Sequence, residues 1–169
     1  MFIPGVLVAI ILIIIFLSLF WLSGFIFGAP FEPTDRKTLE RMVKFAGKNK
    51  SKKVVDLGSG SGTIVMEFAN HGFRAEGYEI NPLLVFISRR KIKKLGLEKL
   101  AKIHQGDYRK VNLSKFNIVC IFQISYVMKN IESKLKIELK KGSKIISNTW
   151  KFKDMKPKKK EKGVYLYEV

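Results

Sequence analysis

Apolar and polar residues follow three different periods along this chain, and each period predicts a different kind of element. From Ile3 to Phe27 the run is apolar almost throughout. At about 1.5 Å per residue a helix of that length spans a hydrocarbon core of about 30 Å. Pro4 and Gly5 fall at its start, and Phe16, Phe20, Trp21, Phe25 and Phe27 crowd its second half like an interfacial aromatic belt. Beyond a stiff segment with Pro30 and Pro33, a helical repeat takes over. Leu39, Met42, Val43 and Ala46 recur at i, i+3, i+4 and i+7, with Thr34 placed to cap the helix and Gly47 to end it. Strand-like runs then alternate with helical ones. Val54-Val55 closes a first strand and Thr63 to Ala69 restarts a helix. Phe73 to Glu79 reads as a second strand, and Asn81-Pro82 opens a helix that turns Leu84, Ile87, Ser88 and Ile92 to the sheet and stops at Gly96. Leu100 to His104 is a short third strand. Phe116 to Phe122 is almost wholly apolar, as a strand covered on both faces should be. Val127, Ile131, Leu135 and Leu139 mark a helix face, Ser143 to Thr149 a fifth strand, and Val164 to Val169 a sixth that alternates and returns antiparallel to the fifth. The order predicts an α/β fold: an open sheet of about six strands, the last antiparallel, preceded by one N-terminal transmembrane helix.

Charge divides the chain in the same place as hydropathy. The 169 residues carry a net charge of +18, yet no charged side chain precedes Glu32. The expected organisation is an anchor and the start of a linker over 1–29 and a single domain over 30–169. An uncleaved anchor fits better than a signal peptide, because no basic segment precedes the apolar core and the core is too long. Arg36, Lys37, Arg41 and Lys44 follow it, so the positive-inside rule places the domain on the cytoplasmic side of a single-pass membrane protein. The excess of lysine fits anionic lipid headgroups, a nucleic-acid face or a solvated surface. The first needs no further assumption beside an anchor. The Lys156 to Lys162 run reads as a basic loop. Cys120 is the lone cysteine and sits in an apolar run, so it reads as a buried structural thiol. His71 and His104 are isolated and lack metal-ligand spacing, so no metal site is read.

The candidate chemistry gathers at Asp56-Leu57-Gly58-Ser59-Gly60-Ser61-Gly62, between the first strand and its helix. Glycines there turn tightly and let a ligand approach the backbone, where an α/β sheet binds adenosine-containing molecules. The spacing is G-x-G-x-G rather than the G-x-G-x-x-G of dinucleotide enzymes, and no Gly-Lys-Ser/Thr completes a P-loop. The stretch resembles the cofactor loop of class I S-adenosylmethionine (SAM) methyltransferases. The expected cofactor is SAM, on a Rossmann-like sheet. Glu79, about 20 residues beyond the loop, stands where such a unit places the carboxylate for the ribose hydroxyls. Asp107 can accept the adenine amino group or cap a turn, with Tyr108 as the neighbour that covers the ring. Cofactor-side candidates are therefore Asp56, Gly58, Ser59, Gly60, Gly62, Glu79, Ile80, Asn81, Asp107, Tyr108 and Phe122.

A narrower likeness rests on Pro33-Thr34-Asp35, Val55 to Gly60, Gly77-Tyr78-Glu79-Ile80-Asn81-Pro82, Gly106 to Val111, Val119 to Phe122 and Met128 to Leu139. Over about residues 30 to 150 the chain resembles the membrane-anchored protein lysine methyltransferases, the family of the ATP synthase c-subunit and adenine nucleotide translocase lysine methyltransferases. The resemblance implies a lysine acceptor on a membrane protein. The expected partners are the lipid bilayer and that protein, with nucleic acid ranked behind them. Thr34, Asp35, Gln123, Tyr126, Trp150 and Phe152 are the substrate-side candidates, Trp150 and Phe152 as an apolar wall around the acceptor chain. No catalytic base is assigned. Three departures stand out. The family usually has an acid at the position of Ser61 and Arg at that of Thr63, which bears on cofactor binding. It has a Gly-x-Pro-like turn in place of Gln123-Ile124-Ser125, and Arg-Phe-Pro in place of Thr149-Trp150-Lys151-Phe152. The competing readings are an RNA, lipid or small-molecule methyltransferase, and a non-catalytic SAM-binding membrane protein. The Asp/Asn-Pro-Pro-Tyr/Phe motif of base-amine enzymes is absent after the fourth strand.

Overall fold

A computed structural model of the chain describes residues 5–15, Ser18, 34–122 and 125–169. The chain divides into two units, Met1–Glu32 and Pro33–Val169. In the first, residues 5–15 are helical and exposed. That stretch rises roughly 16 Å, about half of a hydrocarbon core. Among the described residues no helix is long and apolar enough to cross a membrane. The expected transmembrane helix and the single-pass placement with a cytoplasmic domain are corrected accordingly, and a bilayer partner is not shown. An apolar composition permits a span, but the helix must also have the length. Apart from Ser18, the rest of the Ile3 to Phe27 run lies outside the described residues.

The second unit is built on one mixed sheet. Strands β1 (Lys53–Leu57), β2 (Arg74–Glu79), β3 (Ala101–Gln105), β4 (Ile118–Ile121) and β5 (Lys144–Asn148) run parallel, and β6 (Lys159–Glu161) and β7 (Val164–Glu168) form an antiparallel pair. The order is β3-β2-β1-β4-β5-β7-β6, with β7 antiparallel to β5. The sheet thus has seven strands rather than six. The additional one, β6, lies inside the lysine run that reads as a loop. Its lysines are exposed at the sheet's edge, so the strand forms through backbone pairing with β7 and leaves no apolar signal.

Helices α1 (Arg36–Ala46), α2 (Thr63–Asn70) and α3 (Pro82–Lys94) share one hydrophobic cluster with the sheet, which joins Met42, Phe68 and Ile92 to Val54, Ala75, Ile103 and Cys120. Helix α4 (Ser125–Glu138) belongs to a second cluster, which joins Ile131 and Leu135 to Val55, Leu57, Val119 and Tyr167. Alternation within β1 sends Val54 and Val55 into different clusters, so the sheet is covered on both faces. Asp35, not Thr34, caps α1: its Oδ1 accepts from the Thr38 N–H at 3.1 Å. Gly47, at φ 90°, ends that helix. Asn81 caps α3 by accepting from the Leu83 N–H at 3.0 Å, with Pro82 in the first turn, where no intrahelical donor is needed.

Candidate functional site

The site begins where β1 stops. Gly58, Gly60 and Gly62 all take positive φ, at 84°, 52° and 80°, a region closed to most residues with a Cβ. The N–H groups of Gly58 and Ser59 both donate to the Tyr78 carbonyl, at 2.9 and 3.0 Å, and lay the loop across the end of β2. That approach requires a bare backbone at Gly77. A Cβ there would come within 2.6 Å of the Ser59 Cβ and Oγ and 2.7 Å of Ile103 Cδ1. Gly77 is a site residue to which the sequence motifs assign no role. A glycine in mid-strand, where it weakens the strand, is the signal that could find it.

Two buried carboxyl groups lie beneath the loop. The Glu79 Oε2 accepts from the Gly60 N–H at 2.8 Å, and its Oε1 accepts from the Asn81 N–H at 2.8 Å. One side chain therefore ties the glycine loop to the start of α3, and each oxygen keeps a lone pair for a further donor. Asp56 stands opposite Gly77 on one side and Cys120 on the other, and is 2% exposed. Burial first, and then the Glu79 charge, push its carboxyl up to about 8, so it is largely protonated at neutral pH. Burial and the neighbouring Asp56 likewise raise the Cys120 thiol well above the usual range, which fits an inert core thiol. Within the loop the Ser59 Oγ is buried and has no hydrogen-bond partner. An orphaned buried hydroxyl within the glycine loop is a group that a polar ligand could satisfy. Ser61 and Thr63 bond each other, Oγ to Oγ1 at 3.2 Å.

The third side is the turn after β3. The Gly106 N–H donates to the Glu79 carbonyl at 2.9 Å and brings this turn to the end of β2. Asp107 caps the short helix Tyr108–Lys110, accepting from the Arg109 N–H and Nε, each at 2.9 Å. The hydrogen bond from the Arg109 guanidinium holds its carboxyl below the usual range. Tyr108 is half-buried against the second cluster, and Ile80 is 38% exposed. Asp56, Ser59, the loop glycines, Glu79 and Asn81 are thus brought together by direct bonds or strand pairing, and Asp107 joins them through Gly106.

The acceptor-side candidates are more dispersed. Phe122 is half-buried at the carboxyl end of β4, and Trp150 is 39% exposed just beyond β5. Thr149, at φ 68°, turns the chain between the end of β5 and Trp150. Phe152 is 4% exposed and packs edge-to-face on Tyr167 at 5.0 Å, so it belongs to the core. Asp35 is engaged as a helix cap, with Thr34 half-buried beside it. Gln123 and the side chain of Tyr126 lie outside the described residues. Among the described residues no group of three or more His, Cys, Asp or Glu could hold a metal ion.

The same loop, strand and turn are covered by a family model. The ANTKMT methyltransferase domain matches residues 56–159, more than half of the chain. A protein-lysine N-methyltransferase of Saccharolobus islandicus is 31% identical over 150 residues, covering 83% of this chain and 93% of its own. The human ATP synthase c-subunit lysine N-methyltransferase is 37% identical over 128 residues, covering 76% of this chain and 54% of its own. The chain spans about half the length of the mammalian relatives it matches. Among solved structures, an RNA methyltransferase from Salinibacter ruber in complex with S-adenosyl-L-homocysteine is 28% identical with a TM-score of 0.75, covering 81% of this chain and 92% of that one.

Proposed function

Since the chain belongs to the ANTKMT methyltransferase-domain family, we propose that it is a SAM-dependent methyltransferase whose acceptor is a lysine side chain of a protein. The observation that carries this reading is Glu79, a buried carboxylate held by the amides of Gly60 and Asn81 at the carboxyl end of the second strand. The residues around it fit the cofactor. Glu79 would accept from the ribose hydroxyls with its remaining lone pairs. Asp56, the orphaned Ser59 hydroxyl and the glycine backbone would hold the methionine part. Asp107 would face the adenine amino group, with Ile80 and Tyr108 at the ring. When bound, SAM supplies an electrophilic methyl group on a sulfonium.

What this chain must then do is align an amine and keep water away, without a covalent intermediate. A lysine is a nucleophile only as the neutral amine, and an apolar surround lowers its pKa towards that form. Phe122 and Trp150 supply apolar surface at the same edge of the sheet. An RNA acceptor is the second reading, favoured by the likeness to the Salinibacter ruber RNA methyltransferase and by the net charge of +18.

The test has two stages. Calorimetry should find S-adenosyl-L-homocysteine bound by the full chain and about tenfold or more weaker with Glu79→Gln, because a charge-assisted hydrogen bond contributes about 1.5–3 kcal/mol. Radiolabelled SAM is then added to an extract from cells lacking the protein. Label removed by protease supports the lysine reading, and label removed by ribonuclease supports the second. Failure of the unaltered chain to bind the homocysteine product would sink both.

A further inference from the structure

Away from the glycine loop, the fold gathers lysines that the sequence keeps far apart. A cavity of about 510 Å3 is lined by Lys44 of α1, Lys144 of β5 and Lys159 and Lys160 of β6, with Phe45 and Glu161 beside them. Lys144 is the first residue of β5, which runs parallel to β1 through β4. The cavity therefore lies towards the amino ends of the parallel strands, at the opposite edge from the glycine loop. Three ammonium groups, those of Lys44, Lys144 and Lys159, share the α1 face of the sheet with Glu161; Lys160, next along β6, turns to the other face, its Nζ 5.6 Å from the Tyr165 ring centre. Glu161 is already engaged by Lys44 at 2.9 Å and by Arg41 at 3.8 Å. Among the described residues Lys159 forms no ion pair, whereas the nearby Lys158 is bonded to Glu168 at 2.7 Å. Lys144 donates to the Phe45 and Ala46 carbonyls, each at 3.0 Å, and so stays fixed at the end of α1. Burial, and then repulsion from Lys52, Lys159 and Lys158, hold its ammonium below the usual lysine range. The positive charge is thus concentrated and incompletely neutralised.

A row of lysines on an edge strand serves by itself to prevent strand pairing. Convergence from three elements on one concavity does more, because low-dielectric walls focus the field of like charges. The volume falls within the range of about 300–1,000 Å3 usual for small-ligand sites. Ammonium groups act as point-charge donors to phosphate oxygens. We propose that this cavity binds a phosphoryl-group anion, either a free phosphate ester or a phosphate of a nucleic-acid backbone.

The full chain is titrated with inorganic phosphate and, separately, with a short fluorescent single-stranded RNA. Two charge-matched variants accompany it: Lys159→Glu at the cavity, and Lys93→Glu on the exposed end of α3. The cavity variant should lose about tenfold or more in affinity and show a shallower dependence on salt, with the α3 variant within about twofold of the parent. Phosphate binding that RNA does not improve identifies a free ester as the source; tight RNA binding with weak phosphate binding identifies the backbone. Equal losses in the two variants would mean diffuse charge and overturn the proposal. So would binding of neither probe, or a polyglutamate peptide binding more tightly than both.

Discussion

Asp56 is a carboxyl group placed where ionisation is costly. Burial and the nearby Glu79 raise its folded pKa from 3.8 to about 8. The sign follows from proton counts. Between about pH 4 and pH 8 the folded state holds a proton that the unfolded state has lost, so stability falls as pH rises through that window. Asp56→Asn should flatten this slope and make the ligand-free protein more stable at pH 8 than the parent, as read from urea midpoints. A steeper slope in the variant would show that another group is responsible. The same position illustrates what a sequence can reveal at this scale. An acid before a glycine loop is legible as a ligand group. That it is protonated is not, because the causes are burial in the assembled sheet and then the charge of Glu79, brought close by the pairing of β1 with β2.

Elements here are held to one another by single side chains. Gly77 lets the glycine loop lie on β2, and Gly77→Ala would drive a methyl group into Ser59 and Ile103. Overpacking of that kind costs about 1–3 kcal/mol. The loop is what would have to move, so affinity for S-adenosyl-L-homocysteine should fall more than thermal stability does. Glu132, on α4 and 3% exposed, plays a corresponding part on the other face, where it accepts from the Lys153 and Asp154 N–H groups, each at 3.1 Å, and pairs with Lys136. Glu132→Ala should destabilise the chain by about 1–3 kcal/mol by leaving those amides unpartnered, and limited proteolysis should then cut first near Asp154. Strands and helices of this unit are legible because their apolar periods are strong. The cap at Asp35 and the strand at Lys159–Glu161 are not, since one is a choice between adjacent polar residues and the other carries lysines at an edge. Trp150 and Phe152 share a strand period, yet one is exposed and the other is core. The left-handed turn at Thr149 ends β5 ahead of both, so neither belongs to a strand and the period does not apply, and a β-branched residue gives no warning of it.

For the unit as a whole, the carboxyl-terminal hairpin is part of the core. Val164 and Leu166 enter one cluster and Tyr165 and Tyr167 the other, so β7 contributes to both faces of the sheet. The Tyr167 hydroxyl also accepts from the Phe152 N–H at 3.2 Å. A chain ended after Met155 should therefore show no cooperative thermal transition by circular dichroism, and a sharp one would mean that the five parallel strands suffice. The arrangement also has a consequence in time. β7 comes after β6 in the chain but lies between β6 and β5 in the sheet. A ribosome adds about 5–20 residues per second, and N-terminal parts fold as they emerge. Until Val164 and its successors leave the exit tunnel, the unpaired flank of β5 has no neighbour and β6 has nothing to pair with. Throughout that interval the nascent chain presents an open strand edge, the feature that recruits other chains into aggregates, and is most in need of a chaperone.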